Sequence, residues 1–270
     1  MPGLAPRLSP AMDRKPAVPA AAGFPGRHEG RSGQPARRPW GADLATSDLR
    51  ETEAMTRVFL RPMGSPLPLG FAALAAGTFT VAGLQLSWIP ASQWHLIGLV
   101  LLTFVVPLQA LSCVYGFLAR DSAAGTGVAI QGGGWFSIGL VTFVSRPGQT
   151  SPALGLILIG AASALLIPMV TSAYSKLLAS AVMGATALRF YLTAAYELAG
   201  SAAWKEAAGV AGLILAVLAL YAALAFELED TRRATILPTL RRPSGRLALA
   251  GRLAEEITAI HHEAGVRRVL

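Results

Sequence analysis

The chain has 270 residues, of which 53% are hydrophobic and only 14% charged, with a mean hydropathy of +0.50. A soluble domain carries about a quarter charged residues. Here the charges gather at the two ends and leave Pro66 to Glu227 almost free of Asp, Glu, Lys and Arg, which excludes an ordinary water-soluble globule and points to lipid as the solvent. The formal net charge of +8 does not indicate a nucleic-acid partner, because the arginines flank apolar spans instead of forming a patch on a folded domain.

In chain order, residues 1–60 are rich in Pro, Gly, Ala and Arg without a hydrophobic period, and are expected to be disordered. No apolar core of a signal peptide lies in the first thirty residues. Membrane-like sequence begins just after Met55, and the upstream stretch reads like translated GC-rich DNA, so Met55 is an alternative start. Residues 61–230 form the membrane domain. Six apolar segments are expected, at about Pro68–Ile89, Trp94–Ala119, Thr126–Val144, Pro152–Tyr174, Leu177–Ala199 and Trp204–Phe226. Each is long enough to cross about 30 Å of hydrocarbon at 1.5 Å per residue. The fold class is therefore all-α: a polytopic six-helix bundle with short, up-and-down connections.

With six spans the two tails share one side. That side collects the Arg-rich tails, Arg120 and Lys176, whereas the other shows Arg146 and Lys205, so both termini are expected in the cytoplasm and the protein in the cytoplasmic membrane. Trp88, Trp94 and Trp204 then fall at the outer interface. Residues 231–270 form a polar tail. Leu247, Leu249, Leu253, Ile257 and Ile260 recur there at mostly helical spacing, which predicts a cytoplasmic amphipathic helix from Gly245 to His262.

The chain lacks a Gly-Lys-Ser/Thr phosphate loop, a His-Glu-x-x-His pair, carboxylate pairs within the spans, and any Cys/His cluster. Cys113 is the single cysteine and can make no intrachain disulfide. Neither an enzyme nor a bound cofactor or metal is expected. Instead the spans hold helix breakers: Pro66 and Pro68 opening the first, Pro107 in the second, Gly132-Gly133-Gly134 in the third and Pro168 in the fourth. Irregular backbone at membrane depth is tolerated where it is buried or lines a wet cavity; glycines for close helix packing and prolines as plain kinks are the competing reading. Gln109 and Gln131 are polar residues in apolar spans, suited either to helix–helix hydrogen bonds or to a solute. Arg189 is the sharpest feature. It falls near the middle of the fifth span, where an arginine costs about 2.5–3.5 kcal/mol on insertion scales, and no acidic residue lies at its depth. Its partner is a carbonyl, a glutamine, or an anionic substrate held by two parallel hydrogen bonds.

These residues carry a resemblance. The sequence Ser65-Pro66-Leu67-Pro68-Leu69-Gly70-Phe71 stands where the acetate uptake transporter family, which includes the bacterial succinate–acetate permeases, opens its first span with Asn-Pro-Ala-Pro-Leu-Gly-Leu. Gln109 and Trp135 match family positions in spans two and three, and Arg233-Ala234-Thr235-Ile236-Leu237-Pro238 is similar to its closing motif. The resemblance covers about Arg61 to Arg242. The turns Trp88-Ile89-Pro90-Ala91-Ser92-Gln93 and Ala119-Arg120-Asp121 are similar to those of actinobacterial members. It implies a six-helix protomer in a ring-shaped homo-oligomer, typically a hexamer. It also implies a narrow gate in each protomer, with passage of acetate and similar small monocarboxylates through a channel-like route or with a proton. Leu74, Gln131 and Leu188 fall at the gate positions, making this constriction less aromatic and more polar than the family pattern. The expected pathway residues are thus Ser65, Pro66, Pro68, Gly70, Leu74, Gln109, Gln131, Gly132, Trp135, Leu188 and Arg189. The alternatives are passage of ammonium, ammonia or succinate, or a membrane scaffold without transport.

Overall fold

In the computed structural model, residues 64–232 and 234–242 are described. The expected disordered region over 1–60, the alternative start at Met55 and the amphipathic helix from Gly245 to His262 lie outside them.

Among the described residues six helices are long and apolar enough to cross a membrane: α1 Leu67–Gln85, α2 Ala91–Leu118, α3 Ser122–Val144, α4 Pro152–Ala173, α5 Leu177–Ala199 and α6 Ala202–Arg232. The protein is a multi-pass membrane protein. Each helix packs on its neighbours in the chain, and α6 returns onto α1, closing the ring. Burial is unequal: 72% of the apolar window of α1 is covered and 61% of α5, against 28% of α2 and 33% of α4. The interior is therefore walled mainly by α1 and α5, while α2 and α4 turn most of their apolar surface outward, as helices in lipid do.

Local chemistry sets the helix ends. Pro66 adopts helical dihedrals (φ −76°, ψ −17°) and Pro68 sits in the first turn of α1, where the missing N–H groups have no intrahelical acceptor to serve. The first span thus opens as a helical turn. Asp121 caps α3 by accepting from the Ala124 N–H at 3.1 Å, and Ser151 caps α4 by accepting from Leu154 at 3.3 Å. Ser87, at φ 61°, ends α1 earlier than the hydropathy suggested, and α6 continues past Phe226 to Arg232.

The expected breaks differ in kind. The helix runs through Gly132-Gly133-Gly134 and through Pro168 without interruption. Only before Pro107 does the backbone change, widening to a π turn over Leu101–Val105, which frees the proline from a clash with the preceding turn. Gly98 shows what small residues do here: a Cβ would stand 2.5 Å from the Phe143 nitrogen, so α2 and α3 touch backbone to backbone.

At one end of the bundle the chain after α6 folds back. Glu229, 1% exposed, accepts hydrogen bonds from Thr235 (3.0 Å), Thr239 (3.3 Å) and the Arg241 Nε (2.9 Å), and Arg241 Nη2 lies 2.8 Å from its other oxygen. The Leu240 carbonyl accepts from Leu177 and the Ser175 carbonyl from Arg242, fastening this strap to the α4–α5 turn. Lys176 in that turn pairs with Asp121 in the α2–α3 turn.

Candidate functional site

The interior of the ring is lined by polar residues at helical spacing. On α1, Gly70, Leu74 and Thr78 recur every four residues, and Gln85 follows two turns later, so all four share one face. On α3, Gln131 and Trp135 do the same, and on α5, Thr186, Arg189, Thr193 and Glu197 form the facing stripe. α2 contributes Gln109 and Ser112.

Hydrogen bonds join these stripes into a file along the bundle. At the strap end Ser112 donates to the Pro66 carbonyl at 2.6 Å, and Gln109 Nε2 donates to the Gly70 carbonyl at 3.0 Å. One level further, Gln131 Nε2 donates to Thr186 Oγ1 at 3.2 Å, while Thr186 donates its own proton to the Val182 carbonyl at 2.8 Å. Next comes Arg189. Its Nη2 donates to the Thr78 carbonyl and to Gln85 Oε1, both at 3.4 Å, and its Cζ lies 5.0 Å from the centroid of the Trp135 ring. Gln85 Nε2 in turn donates to Thr193 Oγ1 at 3.3 Å. Beyond them opens a narrow cleft of about 30 Å³, room for roughly one or two waters, lined in part by Gln85, Thr193, Glu197 and Lys205. Glu197 accepts there from the Ser151 N–H at 2.7 Å.

Arg189 is fully buried, and both acceptors it reaches are neutral. The partners are a carbonyl and a glutamine, but they engage one nitrogen only and at long distance. Nε and Nη1 have no hydrogen-bond partner among the described residues. The Trp135 face adds a cation–π contact worth about 0.5–2 kcal/mol, less than the cost of holding a guanidinium at membrane depth. The electrostatics of the bundle are therefore those of an unneutralised cation facing the middle of the file.

Of the residues expected from the sequence, Pro66, Gly70, Leu74, Gln109, Gln131, Trp135 and Arg189 meet along this interior, with Leu74, Gln109, Gln131, Trp135 and Arg189 fully buried. Pro68 is buried in the first turn of α1, and Gly132 lies against Gln109, a Cβ there coming 3.3 Å from the Gln109 Cβ. Ser65 lies at the strap end, where its N–H donates to Asp230 at 3.3 Å. Leu188 does not join them. It is 56% exposed, because one helical step of about 100° from Arg189 turns it away from the interior. Sequence reasoning passed over Thr78, Gln85, Thr186, Thr193 and Gly212. The last of these faces the Arg189 guanidinium, where a Cβ would come 2.8 Å from Nε.

A family model described as GPR1/FUN34/yaaH family matches residues 49–243. Comparison with curated proteins gives no match. Among solved structures, the bacterial acetate channel SatP is similar in fold, with a TM-score of 0.57 at 20% sequence identity, covering 66% of this chain and 99% of that one.

Proposed function

The chain belongs to the GPR1/FUN34/yaaH family, and from that premise we propose that it passes acetate or similar small monocarboxylates across the cytoplasmic membrane, with the strap end inside. The observation that carries this reading is the buried, unneutralised Arg189 in the middle of a polar file. A guanidinium in a low-dielectric interior attracts an anion strongly, and its planar fork matches a carboxylate. A cation such as ammonium meets repulsion at the same point. The resemblance in fold to the acetate channel SatP supports the reading. The interior residues are fully covered, so passage requires α1, α3 and α5 to part at the level of Leu74, Gln131 and Trp135.

Arg189 acts here by compensating the charge of the passing acid. Labelled acetate uptake into proteoliposomes tests this. Arg189→Ala and Arg189→Lys, reconstituted at matched levels, are expected to lose about tenfold or more in uptake, about 1.4 kcal/mol. Lysine keeps the charge but cannot offer two parallel donors. Normal uptake by both variants rules out the role, and absence of flux through the unmodified protein rules out transport.

A further inference from the structure

Among the described residues, five buried side-chain nitrogen and oxygen atoms have no hydrogen-bond partner: Gln109 Oε1, Gln131 Oε1, Trp135 Nε1, Arg189 Nε and Arg189 Nη1. All five belong to the polar file. Such atoms are rare in folded proteins, and each left unsatisfied costs about 1–3 kcal/mol. They occupy successive levels on α2, α3 and α5: Gln109 packs against Gly132, next to Gln131, Trp135 follows one turn on along α3, and the Arg189 guanidinium lies 5.0 Å from the Trp135 ring centroid.

The orientation of both amides is fixed by chemistry. Gln109 bonds to the Gly70 carbonyl, which can only accept, so the amide nitrogen lies there and Oε1 is the free end. Gln131 bonds to Thr186 Oγ1, whose own proton is committed to the Val182 carbonyl, so again the nitrogen is held and the oxygen is free. Trp135 Nε1 and the two Arg189 nitrogens can only donate. The set is thus two acceptors contributed by Gln109 and Gln131, and three donor nitrogens contributed by Trp135 and Arg189.

A simple carboxylate such as acetate offers acceptors only. It satisfies Trp135 and Arg189 and leaves both amide oxygens unpaired. We propose that the preferred substrate is a short carboxylate bearing a hydroxyl next to the carboxyl group, a 2-hydroxy monocarboxylate, whose carboxylate takes the Arg189 and Trp135 donors and whose hydroxyl donates to Gln131 or Gln109. A cationic donor at the same carbon, as in glycine, is disfavoured by the neighbouring guanidinium. The proposal rests on the reading of the bundle as a carboxylate route, and it deepens that reading by assigning the two glutamines to the selection of the substrate.

Uptake of labelled 2-hydroxyacetate, acetate and glycine into proteoliposomes of the full chain tests it. A site built to bond a substrate hydroxyl discriminates strongly against an analogue lacking it. The expected result is a 2-hydroxyacetate rate at least about tenfold that of acetate at equal low concentration, with glycine slower still. In whichever of Gln131→Leu and Gln109→Leu removes the acceptor of the hydroxyl proton, the ratio of 2-hydroxyacetate to acetate is expected to fall towards one. Flux of acetate without preference for the hydroxy acid overturns this proposal and leaves the transport reading standing. Flux of neither acid overturns both. A preference that persists in both leucine variants overturns the role of the glutamines. The ratio in the unmodified protein decides the substrate class even where a variant fails to assemble.

Discussion

At the scale of single residues, Gly212 sets the room available to Arg189. A methyl group there would stand 2.8 Å from the Arg189 Nε and 3.0 Å from the Ala82 Cβ, and although the guanidinium can swing, the Ala82 Cβ is fixed to the α1 backbone. Gly212→Ala is therefore expected to push α6 off α1 or displace the guanidinium, at about 1–3 kcal/mol of overpacking. It should lower both acetate uptake and the melting temperature in detergent. Gly160→Ala provides the contrast, since a Cβ there meets nothing within 4 Å. Unchanged uptake and melting for Gly212→Ala would show that the α1–α6 contact yields freely. Arg189 was legible in the sequence because a charge at midspan has few structural explanations. Its partners were not. Threonines in apolar helices often bond back to a carbonyl four residues earlier, as Thr80, Thr103 and Thr171 do here, so Thr78 and Thr193 carried no distinguishing signal. Leu188 shows the opposite failure: matching by spacing alone was one residue from the interior, and on a helix one residue changes the face.

At the scale of elements, the strap after α6 behaves as a fixed part of the bundle. Its anchor is an ion pair with Glu229 at 2% and Arg241 at 12% side-chain exposure, to which Thr235 and Thr239 add hydrogen bonds. Removing one partner of such a pair strands the other charge, at a cost of about 3–5 kcal/mol. Arg241→Ala is expected to lower the melting temperature clearly, and the double variant Arg241→Met with Glu229→Leu to recover much of the loss, since no charge is then left buried. A double variant as unstable as the single one would show that the strap is held by the threonines and backbone instead. The sequence placed the end of the membrane domain near residue 230 but gave no sign that Glu229 is buried. That burial is produced by a segment returning from ten residues downstream, which hydropathy along the chain cannot register. Helix existence, by contrast, was readable throughout: six apolar runs of sufficient length leave no other way to satisfy backbone hydrogen bonds in lipid. The glycine triplet left two readings open, because consecutive glycines lower helix propensity in water by about 1 kcal/mol each, whereas in lipid an open backbone has no water to bond and the helix persists, as the packing reading requires.

At the scale of the whole molecule, the two ends of the bundle differ in chemistry, and that difference predicts an orientation in the membrane. The strap end gathers Arg120, Lys176, Arg241 and Arg242, and Lys176 and Arg241 are drawn into ion pairs there. The opposite end carries the exposed Trp88 and Trp204 and the cleft that leads to Gln85 and Thr193. Basic residues are retained on the cytoplasmic side and tryptophan rings settle at interfaces, so the cleft is expected to face outward and to be the mouth first met by an acid arriving from outside. The lone Cys113 permits a clean test. In a Cys113→Ser background, a cysteine at Gln149, exposed beside the cleft, should react with a membrane-impermeant maleimide added to intact cells. A cysteine at Ala119, exposed in the α2–α3 turn at the other end, should react only after the membrane is opened. The reverse pattern would place the cleft inside, so the labelling decides which side of the membrane the cleft opens to.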